Sequence, residues 1–428
     1  MSAPAGQHTV RQHNRALVLR QVAESPRQSR AQLALATGLT RATVSGLVDE
    51  LLVADLLAEL SPDRGARGRP GSPLILNANG PAGLGVEVNV DYISACVLDL
   101  TGQIRALRTE VVDNRLTSPA DGVARAIGLA QRVRAETEAA GLTVVAASIG
   151  VAGLVDSAGV LRRAPNLPGW QSVDLGGAFG DALMLPVAVD NEANLAALAQ
   201  LWFGDEPQPR DFVLVSGEIG VGAGVVLNGQ LYRGVHGHAG ELGHVVVDPA
   251  GPPCGCGANG CLEQVAGQEA LLEAAGVIDG RGIVNTRLAD PDGAVAELRR
   301  RAVAGDPRTL RALADAGTAL GIAIAGFINV VDVPVVLLGG LYARQLAKMM
   351  PERVRSVITF GSPFASGPKA TNAWRVYEMA SGRRADEEDS RFGRSLSETP
   401  PVPTTAIFSR TDGICAWQGC MEKTTATS

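Results

Sequence analysis

Between His236 and Glu263 the chain gathers groups that a packed core has no use for. The run Gly237-His238-Ala239-Gly240-Glu241-Leu242-Gly243-His244 is followed by Cys254-Gly255-Cys256 and then Gly260-Cys261-Leu262-Glu263. Three of the chain's six cysteines and three of its five histidines fall in this stretch. Thiols, imidazoles and carboxylates set among glycines read as a bound metal beside a polar ligand pocket. Thiolate and imidazole suit a closed tetrahedral ligand set. The C-x-C spacing differs from the C-x2-C of common zinc fingers, so spacing alone is a signal of moderate strength. A second constellation, Asp190-Asn191-Glu192, ends the apolar run Val187-Ala188-Val189. Carboxylate and amide at the C-terminal end of a strand sit where α/β sheets bind ligands.

The elements that must hold these groups read as α/β. Strands are predicted over residues 84–90 and 93–98, opening a lobe as a hairpin with a turn at Thr101-Gly102, and a helix over 119–140. A strand at 144–149 leads on to Ala164-Pro165-Asn166-Leu167-Pro168-Gly169-Trp170, and a helix follows at 193–202. A glycine-rich strand pair is predicted at 213–216 and 220–227. Helices are expected from Gln268, from Gly282 and from Arg308, with a small-residue helix at 316–328 and a last strand at 335–338.

Residues 1–80 have a different character. They carry nine Arg against six acidic residues, 9 − 6 = +3, on a chain whose net charge is −6. A first helix is predicted at 15–23. Ser29 and Gln32 form a capping box for a second helix at 30–37, Gly38 supplies the turn, and Thr40 caps a third helix. In that helix Val44, Leu47, Val48 and Leu51 fall at i, i+3, i+4 and i+7, one buried face. The other face presents Arg41, Thr43 and Ser45. This is the order of a helix-turn-helix, whose second helix reads base edges in the major groove. Asp63 to Gly71 then reads as a wing that places Arg67 and Arg69 for phosphates or the minor groove. The candidate DNA contacts are Ser29, Thr40, Arg41, Thr43, Ser45, Arg67 and Arg69.

With 428 residues, several domains are expected. No apolar run of about 20 residues is free of Gly, Pro or charge, so no membrane span is expected. The first 20 residues are polar and lack a signal-peptide core. Both observations point to the cytoplasm, where clustered cysteines lean towards metal binding. Lys348, Lys369 and Lys423 are the only lysines. Their confinement to the last 88 residues marks the C-terminus as a piece of different origin.

Residues 10–340 resemble a regulator of the ROK family of sugar-linked repressors and kinases. The resemblance is carried by the N-terminal helix-turn-helix, Asn166-Leu167-Pro168-Gly169-Trp170, Val189-Asp190-Asn191-Glu192-Ala193-Asn194, Gly237 to His244 and Cys254 to Glu263. It implies a winged helix-turn-helix domain (1–80) followed by a two-lobed, actin-like or ribonuclease H-like α/β domain (81–195 and 196–338) with a sugar cleft. It implies one structural Zn2+ on His244, Cys254, Cys256 and Cys261, and sugar contacts at Asn166, Asn191, Glu192, Glu241, His244 and Glu263. Family kinases carry a phosphate loop D-x-G-G-T; Glu87-Val88-Asn89-Val90-Asp91 stands in its place. The second phosphate loop, G-T-G in the kinases, reads Glu218-Ile219-Gly220. Sugar binding is therefore expected to be retained and ATP binding lost. The implied function is a sugar-responsive, non-enzymatic regulator, most simply a repressor. Its implied partners are a double-stranded DNA operator, a sugar or sugar-phosphate effector, and copies of itself as a homodimer or dimer of dimers. A sugar kinase is the alternative.

Residues 339–428 fit that family poorly. Val357 to Phe364 and Val402 to Gly413 resemble the second half of an α/β-hydrolase. In that alignment Leu337 replaces the nucleophile and Asp412 matches the acid, but no histidine follows His244. An atypical α/β tail without hydrolytic machinery is expected, with exposed sheet edges that lower stability.

Overall fold

The computed structural model describes residues 7–61, 72–204, 209–217, 219–278 and 293–339, with two further strands at 357–360 and 404–407. It divides into two compact units. The first comprises Met1–Gly85, Cys96–Ala106 and Gln131–Ala147; the second comprises Val86–Ala95, Leu107–Ala130 and Ser148–Ser428.

The first unit opens with three helices, α1 (Gln7–Glu24), α2 (Arg30–Thr37) and α3 (Arg41–Val53). Helix α1 starts well before residue 15. Its first two turns are polar and carry no apolar periodicity that could announce them, yet hold no Gly or Pro to stop the helix. The Ser29–Gln32 capping box is present in both directions, and Gly38 ends α2 at φ +72°. Thr40 accepts the Thr43 backbone N–H at the start of α3. Strands β1 (Leu57–Glu59) and β2 (Leu74–Leu76) then pair antiparallel, Leu57 opposite Leu76. Val18, Val22, Leu33, Val44, Leu47, Val48, Leu51, Leu57 and Leu74 form one buried cluster. The face predicted for α3 is therefore the buried one. The segment expected to form the wing, with Arg67 and Arg69, lies outside the described residues.

Strands β3 (Pro81–Val88), β4 (Tyr92–Leu98), β5 (Ile104–Val111) and β6 (Thr143–Val151) follow, with α4 (Pro119–Ala139) between the last two. The short strands β7 (Leu154–Val155), β8 (Val160–Arg163) and β9 (Val173–Asp174) form a small antiparallel sheet of their own. Helix α5 (Leu175–Leu183), β10 (Val187–Asn191) and α6 (Glu192–Phe203) come next. One five-stranded sheet has the order β10-β6-β3-β4-β5. The expected two-stranded hairpin is thus a three-stranded meander. The Thr101-Gly102 turn leads into β5, whose Arg105, Arg108 and Thr109 hid it from a hydrophobic reading.

A six-stranded sheet belongs to the second unit. Its strands are β11 (Phe212–Gly217), β12 (Val221–Leu227), β13 (Gln230–Leu231), β14 (Val336–Gly339), β15 (Val357–Phe360) and β16 (Thr404–Ile407), in the order β13-β12-β11-β14-β15-β16. The first three are antiparallel; β14, β15 and β16 add in parallel. Two strands of the tail therefore extend the sheet past β14. Asp412 and the rest of residues 340–428 lie outside the described residues, as does the helix expected from Gly282. The helices expected from Arg308 and at 316–328 are one continuous helix, Pro307–Val331. It is long and apolar enough to cross a membrane by length and composition alone. Its Ala319 and Ala323 pack with Val213, Val225, Leu242 and Leu262 in the core of this unit.

Candidate functional site

The metal-ligating candidates come together. His244 closes the 3-10 turn Leu242–His244, and its Nδ1 lies 3.6 Å from Cys254 Sγ. Cys256 Sγ stands 3.5 Å from Cys261 Sγ, and one donor atom from each of the four residues lies within 4.8 Å of the others. A tetrahedral zinc would hold its ligands about 3.6 Å (N to S) and about 3.8 Å (S to S) apart. The donor set and its spacing fit one such cation. Isolated bridges between Val246 and Cys261 and between Pro253 and Asn259 shape the loop. Gly260 lies at φ +64°, where a side chain would overlap the Asp248 carbonyl. Burial, then the neighbouring thiols, push the Cys261 thiol up to about 12, while the Ala258 backbone N–H holds Cys256 below its ordinary value. Thiols gathered this closely would give up their protons to a bound cation.

The polar wall begins on the same loop. His244 turns Nε2 towards Glu241, whose Oε2 is 3.9 Å away. Burial first, then the charge of Glu263, pushes the Glu241 carboxyl up to about 7. Glu263 accepts the Val221 backbone N–H at 3.1 Å on Oε2 and the Asn166 amide at 3.5 Å on Oε1. A side chain at Gly220 would overlap both Glu263 and Asn166, so only glycine lets them meet there. Asn191 caps α6, accepting the Ala193 N–H at 2.8 Å and donating to the Gly153 carbonyl at 3.0 Å. Its conformation is therefore fixed by the backbone. Glu192 opens α6 beside Gly222 of β12.

Asp190, of the Asp190-Asn191-Glu192 constellation, takes a partner distant in sequence. It is buried and binds Arg233 through Nε at 2.9 Å and Nη2 at 2.8 Å, and Asn194 at 2.7 Å. Nothing local in the sequence names Arg233 as its partner.

At the position of the kinase phosphate loop the side chains bind one another. Glu87 Oε1 accepts the Tyr92 hydroxyl at 2.6 Å and the Asn89 amide at 3.1 Å, and the Asn114 amide donates to the Asn89 carbonyl at 2.6 Å. Burial pushes the Glu87 carboxyl above the usual range. None of these positions is glycine, so the segment lacks the glycine cradle that would approach a phosphate. Glu218 of the second loop lies outside the described residues.

In the first unit Ser29 and Thr40 hold helix N-termini, and Thr43 bonds back to Thr40 at 2.9 Å. Arg41 and Thr43 are exposed and Ser45 is half-buried. Arg30, missed in the sequence, bridges Asp49 at 2.6 Å and Glu59 at 2.9 Å, and so ties α2 to α3 and β1.

Comparison with known proteins agrees with this geometry. A xylose repressor of Caldicellulosiruptor bescii is 29% identical over 361 residues, 82% of this chain and 89% of its own. A glucokinase of Thermotoga maritima is 35% identical, but over only 46% of this chain and 63% of its own. The crystal structure of a ROK family transcriptional regulator, described as a homolog of the E. coli MLC protein, aligns with a TM-score of 0.64 at 28% identity. That alignment covers 77% of this chain and 83% of the other. The ROK family profile matches residues 83–370, past the break expected at 339, and the chain belongs to the ROK family.

Proposed function

We infer that this chain is a sugar-responsive transcriptional repressor. The carrying observation is the coexistence of an assembled polyol-type wall (Asn166, Glu241, His244, Glu263) with a filled phosphate position at Glu87, Asn89 and Tyr92. Such a site can bind a sugar without offering ATP a place. Carboxylates and amides suit a polyol because they accept from or bridge neighbouring hydroxyls. The relatives' names make D-xylose the first effector to test.

Zinc on His244, Cys254, Cys256 and Cys261 would cross-link the loop structurally. With Nδ1 ligated, the imidazole proton must sit on Nε2, the nitrogen that faces Glu241, so His244 would donate to a sugar hydroxyl. Residues 1–80 are read as a winged helix-turn-helix, supported by α1 to α3 with the β1–β2 pair. Arg41, Thr43 and Ser45 would meet bases, and Arg67 and Arg69 the backbone or minor groove. Lobes at 81–195 and 196–338, assembly as a homodimer or dimer of dimers, and residence in the cytoplasm complete the reading. The tail is read as hydrolase-like in origin; its parallel strands β15 and β16 fit that fold and the family's fold alike.

The test is a mobility-shift assay on the chain's own upstream DNA with and without D-xylose, D-glucose and N-acetyl-D-glucosamine. A salt-sensitive shift released by one of these sugars is expected. A chain that shifts no promoter would sink the DNA-binding reading; one that phosphorylates a sugar with ATP and loses this in Glu192→Gln would support the kinase reading instead.

A further inference from the structure

Arg163 ends β8 and points its guanidinium at the metal loop, 93 residues away in sequence. It donates to the Cys256 carbonyl at 3.1 Å and to the Gly255 carbonyl beside it. The segment that follows Arg163 runs beside the same loop and bonds once just beyond it. Pro165 lies in contact range of Gly255, and Asn166 reaches Glu263, two residues beyond Cys261. Strand β8 thus hands one short segment, 163–166, from the C-x-C turn to Glu263, just beyond the third cysteine. The chemistry of the donor set asks for a group of this kind. Three thiolates and an imidazole around a divalent cation leave one negative charge uncompensated, and Arg163 is a cation that faces it. A guanidinium presents its N–H groups as a planar fork that spans two successive carbonyls; an ammonium is a point charge and does not.

We propose that Arg163 is a positioning residue that couples the metal loop to the sugar-reading segment 164–170. The proposal rests on the metal reading of the site. The metal would fix the C-x-C turn, the turn would fix Arg163, and Arg163 would fix the approach of Asn166 to Glu263. A substitution at 163 leaves all four ligands in place and uncouples the two.

The experiment uses the full-length chain loaded with Zn2+, as wild type, R163Q and R163K. Zinc content is measured by elemental analysis, zinc release by competition with a colorimetric chelator, and protection of 164–170 by hydrogen exchange and mass spectrometry. R163Q is expected to release zinc about 10–100-fold faster. While still zinc-loaded, it should exchange the amides of 164–170 about tenfold faster than wild type. R163K should fall between the two, and it serves as the test should R163Q not fold. Stripping zinc from the wild type should produce the same loss of protection. Zinc-loaded variants with 164–170 protected as in the wild type would overturn the coupling alone. A wild-type chain that takes up no zinc would overturn the metal reading and the coupling with it.

Discussion

Asp99 closes the turn between β4 and β5 with a single carboxylate. Its side chain is fully covered and accepts the Thr101 N–H at 2.9 Å, the Thr101 hydroxyl at 2.6 Å, the Gln103 N–H at 3.1 Å and Arg105 at 3.0 Å. Burial raises its pKa, but these bonds together outweigh burial and hold the carboxyl below the usual range. A depressed folded-state value stabilises the fold above the unfolded pKa of about 4, and that contribution is lost as pH falls through the folded value. Asp99→Ala should destabilise by about 3 kcal/mol at neutral pH, because several donors lose their acceptor at once. Urea melts at pH 7 and pH 3 check this: the gap between wild type and variant should narrow in acid. Under the proposed function Glu263 bears on ligand binding instead. Glu263→Gln should weaken sugar binding by about 2 kcal/mol, near thirtyfold, through loss of charge-assisted bonds. Isothermal titration measures it, and an unchanged affinity would remove Glu263 from the sugar wall.

The three N-terminal helices separate residues that build from residues proposed to read DNA. Ser29 and Thr40 are consumed by caps, whereas Arg41 stands exposed at the start of α3. Thr40→Ala should cost about 1 kcal/mol of stability. Arg41→Ala should leave the melting temperature unchanged, weaken operator binding by about 1–3 kcal/mol and relax sequence preference. Thermal melts and mobility shifts on the same two variants test the division. The opposite pattern would make α3 a packing helix only. At the second sheet, β15 and β16 shield the edge of β14. A chain ending at Gly339 would leave that edge unpaired, a template for association with other chains. Size-exclusion chromatography should show the truncated chain aggregating where the full chain does not. An equally well-behaved truncation would mean that the tail contributes nothing to the fold.

For the whole molecule, the proposed DNA contacts and the proposed sugar wall fall in different compact units: residues 7–61 and 72–76 lie in the first, and Asn166 to Glu263 in the second. Response to a sugar then requires that the ligand bind one state of the chain more tightly than another. A sugar that releases operator DNA must lose affinity by the same factor when DNA is bound. Titrating the sugar into the free chain and into its operator complex measures both sides of this cycle. Equal affinities would show that the bound sugar carries no signal to DNA.

What the sequence by itself determined is what works over a few residues. The capping boxes, the turn at Gly38, the buried stripe of α3 and the C-x-C and C-x4-C spacings are local. Each is fixed by backbone geometry or ligand chemistry within one or two turns. Motifs quoted from a known family added the grouping of His244 with the cysteines. Tertiary structure decided the rest, because it depended on which strands lie side by side. It brought Asn166 to Glu263 across 97 positions, Asp190 to Arg233 across 43 and Arg163 to Cys256 across 93. It also showed Glu87, Asn89 and Tyr92 hydrogen-bonded to one another where the family's kinases carry a phosphate loop. Polar strands such as β5 and β8 stayed hidden in the sequence, since their Arg and Thr residues carry no hydrophobic period. It is β8 that carries Arg163 to the metal loop.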